Sequence, residues 1–201
     1  MISNGLFLLA SAIFLVAFWL YNRDFLRGGF VPAFAAWGVF TVITCVNSVT
    51  YLKVTASWMT IALFATDFFV CAGTSAIILY RTKFRVTVSV RDWLIALGSL
   101  LSIIPWIVFR KAAGGNLLNL IPYSIAWIPI HLNWREEPTL PWLLDSIAFA
   151  LNIAALAIQH DRHWVDYISP VVCLFHHSLI TILSMRSSKP APAMVPEAPQ
   201  S

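Results

Sequence analysis

Long apolar runs alternate with short polar connectors from near the first residue to about residue 186. Seven such runs stand out, at 5–21, 31–51, 57–80, 92–110, 116–132, 140–159 and 164–185. A helix needs about 20 apolar residues to cross the hydrocarbon core of a bilayer. The pattern therefore predicts an all-α, polytopic transmembrane helix bundle of seven spans over residues 1–186. The first and fifth runs are short, and the fifth contains Pro122 and Pro129. Six spans plus a broken or re-entrant fifth segment is the alternative count. Beyond residue 186 the apolar pattern stops, and the Pro-, Ala- and Ser-rich stretch 187–201 reads as a disordered cytoplasmic tail.

Composition turns this from pattern to class. The chain is 59% hydrophobic and 11% charged, against about 45–50% and about 25% in soluble domains. Too few polar groups exist to cover a water-exposed surface, so lipid is the expected solvent. The net charge of +4 comes from scattered loop residues, with no basic cluster interleaved with aromatics, and a nucleic-acid partner is not expected. The first apolar run lacks a basic leader and continues to Tyr21, so it reads as a retained span rather than a cleaved signal. Arg23, Arg27, Arg81, Lys83, Arg85, Arg91, Arg135, Arg186 and Lys189 fall on one side of a seven-span model; Lys53, Arg110, Lys111 and Arg162 fall on the other. That bias predicts an inner-membrane protein with its N-terminus outside and its C-terminus in the cytoplasm. Trp58, Trp93, Trp142 and Trp164 each begin a span, where an aromatic belt would place them.

Two stretches resemble each other. Thr66-Asp67-Phe68-Phe69 leads through a small-residue helix to Arg91-Asp92-Trp93, and Leu144-Asp145-Ser146-Ile147 leads through another to Arg162-His163-Trp164. Their spans lie three apart, so they would run in opposite directions, as an inverted repeat of spans 2–4 and 5–7. Such repeats place a solute site at their interface in secondary transporters.

Ionisable groups within the runs are the candidates for chemistry. Asp67 lies near the middle of the third span, where an unpaired carboxylate costs about 2.5–3.5 kcal/mol on insertion scales. It should face the interior as a proton, cation or ligand group, or as a neutral acid bonded to a neighbouring helix. His176 and His177 lie near the middle of the seventh span. Adjacent helical residues point about 100° apart, so the pair does not converge on one ligand, but one histidine could meet Asp67 and Asn152 at similar depth. The alternative is a histidine held by a backbone carbonyl near Pro170. In the fifth span Pro122, Trp127, Pro129 and His131 suit a gate, with Asn133, Glu136 and Glu137 as its vestibule or as a solvated acidic loop. Ser146, Ala150 and Ala154 form a small-residue face for close packing, within the bundle or to a second copy. Asp145, near the start of its span, ranks below Asp67. Cys45, Cys71 and Cys173 read as buried small apolar residues. No catalytic motif, metal-ligand spacing or cofactor signature is present, and no mid-span Lys exists to hold retinal.

The seven-span count, the outward N-terminus and the stretch Asp145…Gln159…Trp164 make the chain similar to the SWEET, PQ-loop and PnuC group of small sugar and vitamin transporters. Tyr167 and Val171 stand where the PnuC motif has Trp and Asn, there is no Pro-Gln pair, and that group repeats spans 1–3 in spans 5–7. The segment Pro32 to Pro138, with Trp37, Asn47, Tyr51, Asp92-Trp93, Trp106, Pro129 and Glu136-Glu137-Pro138, resembles small bacterial multi-spanning membrane proteins, a likeness that implies no activity. The expected function is a small secondary transporter-like bundle for a small polar metabolite, coupled to protons through Asp67 and a histidine. A non-catalytic accessory or assembly subunit, in a homo-oligomer or larger membrane complex, is the first alternative. An intramembrane enzyme is the second, disfavoured because no nucleophile is placed.

Overall fold

The computed structural model describes residues 2–54, 58–85, 88–101, 120–159 and 165–186. The expected tail 187–201, residues His160–Trp164, Trp106, Arg110 and Lys111 lie outside the described residues, as do the side chains of Tyr51, Lys53 and Trp58. Among the described residues all regular structure is helical: α1 (Ile2–Leu26), α2 (Phe34–Val54), α3 (Trp58–Arg81), α4 (Val90–Leu101), α5 (Leu120–Leu132), α6 (Thr139–Ala157) and α7 (Val165–Met185). Each helix falls on one of the seven apolar runs. Three of them, α1, α6 and α7, are long and apolar enough to cross a membrane.

Boundaries follow local chemistry. Gly28, at φ 77°, ends α1, and the Gly29 amide reaches back to the Asp24 carbonyl at 3.0 Å, satisfying a carbonyl the helix end leaves open. The Ser89 hydroxyl accepts the Asp92 amide at 3.1 Å and starts α4. α5 is interrupted at Trp127, between its two prolines: residues 120–126 are helical, and Ile128–Leu132 form a separate short turn with Pro129 inside. A broken fifth segment is therefore what the structure contains.

α1 is the centre of the packing. It lies along α6 and α3; α3 packs on α2, α6 packs on α7, and α2 touches α4 and α5. The α1 inner face is Phe7, Ala10, Phe14, Ala17 and Tyr21, at spacings of three and four, while Leu8, Leu9, Leu15, Val16 and Trp19 are exposed. A helix apolar on both faces suits a lipid exterior rather than water. Gly73 lets Phe18 approach closely, since a Cβ there would stand 3.0 Å from the Phe18 ring. Polar bonds join the same helices: Asn22 Nδ2 donates to Thr74 Oγ1 at 3.0 Å, Thr41 and Ser75 hydroxyls meet at 3.0 Å, and Ser48 donates to the Phe64 carbonyl at 2.9 Å. Such bonds help fix helix pairs where burial alone drives little association.

Three expectations need correction. Of the expected small-residue face of α6, Ser146 is buried but Ala150 and Ala154 are exposed; the buried seam continues through Ala148, Asn152 and Ala155, because α6 is rotated to pack against α1. Cys45 is exposed on the outside of α2, although Cys71 and Cys173 are buried. Trp142 is not in an interfacial belt: it is 2% exposed and lies against Tyr21, Trp37 and Trp127. Trp93, at the start of α4, is exposed as a belt residue would be.

Candidate functional site

Interior polar groups from several helices gather at one site. At its centre is Asp67 on α3, whose Oδ1 has the Cys71 thiol 3.8 Å away, one turn on. Two small cavities, each about 30 Å³, border this carboxyl. The first is lined by Asn47 from α2, Tyr123 from α5, Asn152 from α6 and Ser169 and Pro170 from α7. The second is lined by Asp145 from α6, His177 from α7, and an aromatic wall that includes Trp37, Tyr123, Trp127 and Trp142. A cavity of that size takes about one water-sized group. Among the described residues no Lys or Arg lines either one.

Asp145 has a more central place than its sequence position suggests. α6 begins at Thr139, so Asp145 sits nearly two turns inside it, and its Oδ2 lies 3.8 Å from His177 Nε2. His177 Nδ1 is 2.7 Å from the Cys173 carbonyl, which can only accept, so Nδ1 carries a proton. Nε2 then either offers a lone pair to a protonated Asp145 or, protonated itself, faces a carboxylate. One proton can thus be exchanged between the two, although 3.8 Å is too long for a direct hydrogen bond.

The sequence candidates divide between two faces of α7. His177 turns toward α6 and shares the second cavity with Asp67, and Asn152 shares the first. His176 turns instead to α5: its Nδ1 is 3.1 Å from His131 Nε2 and its Nε2 is 3.2 Å from the Ser124 hydroxyl. The histidine nearer a carboxylate is His177, and that carboxylate is Asp145. The carbonyl holding His177 belongs to Cys173, one turn back in the same helix, rather than to the gap opened by Pro170.

Three of the gate candidates are interior, and His131 is half-buried. Pro122, Pro129 and Trp127 are almost fully buried. The Trp127 ring lies parallel to His176, with centroids 5.3 Å apart, and edge-on to His177 at 4.6 Å. Its indole N–H and His131 Nδ1 are buried without a hydrogen-bond partner. Trp127 therefore sits where α5 is interrupted and closes the second cavity on that side.

A second network, which the sequence did not suggest, centres on Glu137. Glu137 is only 7% exposed and accepts the Trp142 indole N–H at 3.0 Å. Its carboxyl also bonds the Tyr21 hydroxyl, which in turn accepts the Trp37 indole N–H at 3.1 Å. Glu137 is thus not part of a solvated acidic loop. Burial pushes its carboxyl up to about 8, against hydrogen bonds from Trp142 and Tyr21 that favour the ionised form. Between the ordinary value of 4.5 and about 8, the folded protein holds a proton that the unfolded chain releases. Stability therefore falls as pH rises through that window. Thermal unfolding in detergent at pH 5 and pH 8 checks this: Glu137→Gln should lose the part of the decline that Glu137 causes. An unchanged difference between the two pH values in the Gln variant would contradict the assignment.

The connectors at this end converge. An open pocket of about 370 Å³ is lined by Asp24, Arg27, Arg135, Glu136, Glu137 and Ser184. A neighbouring one of about 290 Å³ includes Thr82, Arg85, Asp92 and Asn133. Loops 27–33 and 133–138, residues 82–85 and 88–89 and the end of α7 therefore lie together, and Glu137 stands between the larger pocket and the buried aromatic network. Comparison with known protein families, with curated proteins and with solved structures finds no match to this chain.

The arrangement can hold and relay protons. Two carboxyls and an imidazole border one water-sized, aromatic-walled space, and one of those carboxyls also borders a second such space lined by amides and a hydroxyl. Among the described residues no group of three or more metal-ligating side chains converges.

Proposed function

We propose that the chain is a seven-span inner-membrane bundle that moves a small solute across the membrane in exchange or in company with protons. The observation that carries this reading is the position of Asp67 on two separate small cavities, one shared with Asn47 and Asn152 and the other with Asp145 and His177. The one carboxyl in this reading serves both cavities, as a shared site near the interface of two repeats would in alternating access. In this reading the basic connectors carrying Arg27, Arg85 and Arg135 face the cytoplasm, and the larger pocket beside Glu137 is the inner vestibule. The interruption of α5 at Trp127 is the element that would move. The two aspartates matched by the internal sequence similarity, Asp67 and Asp145, face one cavity, as halves of an inverted repeat would arrange them.

The test is purified protein in vesicles loaded with a pH-sensitive dye, presented with a panel of small amines, sugars, amino acids and vitamins. A solute that changes the internal pH beyond the response of empty vesicles supports the proposal. If no member does so, and the protein purifies in mild detergent only with other chains bound, the accessory-subunit reading replaces it.

A further inference from the structure

We propose that the second cavity is a site for ammonium or a short primary ammonium ion, which rests on the transporter reading and names its substrate class. The walls are the argument. Trp37, Trp127, Trp142, Tyr123, Phe14 and Phe40 contribute aromatic rings, and Asp67 and Asp145 contribute carboxyls, around about 30 Å³. Aromatic rings attract cations through their negative faces, and the attraction is worth most where water is excluded. The carboxyl pair faces no Lys or Arg among the described residues of the cavity wall. An anionic solute would be repelled by the carboxylates, and a sugar would find ring carbon where it needs hydrogen-bond partners.

Size and coordination narrow the choice further. The cavity takes about one water-sized group, so ammonium or methylammonium fits and choline does not without expansion. Hard metal cations need about six or more oxygen ligands, whereas this wall offers the two carboxyls and the Tyr123 hydroxyl. Ammonium needs only a few acceptors and can direct a remaining N–H at a ring face. Groups that titrate around the pair are Cys71 from α3, Tyr123 from α5, Tyr21 from α1, and His177 and Cys173 from α7. The described part of α2 brings Trp37, Phe40 and Asn47 to the two cavities, none of which ionises. A cation entering beside protonated Asp67 or Asp145 displaces a proton from it, so charge in the bundle is conserved and the proton leaves by the side from which it came or by the other.

Equilibrium dialysis of radiolabelled methylammonium against the detergent-purified full chain tests this without requiring transport. Expected are saturable binding of one ion per chain, displacement by ammonium chloride but not by equal sodium or potassium chloride, and at least about tenfold weaker binding in Asp145→Asn, a loss of about 1.4 kcal/mol. Asp145→Glu, which keeps the charge, should retain binding. No saturable binding to the wild-type protein overturns the proposal, as does equal displacement by sodium or potassium, or preference for choline. If a neutral solute drives pH changes in dye-loaded vesicles while methylammonium does not bind, the cation site falls and the transporter reading stands. If methylammonium binds as described and no solute moves protons, the reverse holds.

Discussion

Asp145→Asn is expected to damage proton-coupled uptake about as severely as Asp67→Asn, and the double variant is expected to be little worse than either single one. The reason is that both carboxyls serve one cavity. Groups that act as a unit show strongly non-additive losses, because removing one member disables the others. Each single change should lower gradient-driven uptake by at least about tenfold, equivalent to about 1.4 kcal/mol. Two independent sites would instead multiply to about a hundredfold in the double variant. Uptake measured in vesicles under an imposed pH gradient decides between these patterns. Additive losses would mean that Asp145 belongs to a separate structural role with His177.

Trp127→Ala should be the most destabilising single change in the bundle. The ring is 1% exposed and touches Phe40 from α2, Tyr123 and His131 from α5, Trp142 from α6, and His176 and His177 from α7. It is the contact that ties the interrupted α5 to three other helices. Removing a buried Trp costs about 3–5 kcal/mol through lost contacts and the cavity left behind. Trp127→Phe should be milder, since it keeps most of the ring contact and removes an N–H that has no partner. Unfolding of the detergent-solubilised protein, followed by helical signal against added denaturing detergent, checks both. An alanine variant within about 1 kcal/mol of wild type would show that α5 is held by other contacts.

Helix number and position were legible in the sequence because apolar run length is a robust signal. Each of the described helices lies on a predicted run, and the two prolines correctly marked α5 as broken. Asp67 was legible for the same reason, as a charge inside an apolar run must be explained. The facing of each helix was not legible. A helix that is apolar all round has no polar face to orient it, so the choice of Ala150 and Ala154 over Ala148, Asn152 and Ala155 could not be made from spacing alone. Trp142 was misread on similar grounds: a tryptophan at a span start has the same sequence signature whether it faces lipid headgroups or, as here, Tyr21 and Glu137. Asp145 was ranked low because helix N-termini favour carboxylates. Counting from Thr139 would have placed it almost two turns inside, beyond the reach of that effect. The buried Asn22, whose Oδ1 has no partner, and the Glu137 network depend on contacts between helices far apart in sequence.

The account turns on Asp67 as the carboxyl through which protons are exchanged with solute. The most direct measurement is the internal pH of dye-loaded vesicles containing wild-type or Asp67→Asn protein, recorded as a gradient of a transported solute is applied. The account predicts a pH change with the wild-type protein and none beyond empty vesicles with Asp67→Asn, with Asp67→Glu restoring part of the signal. A wild-type-sized pH change in the Asn variant would contradict it.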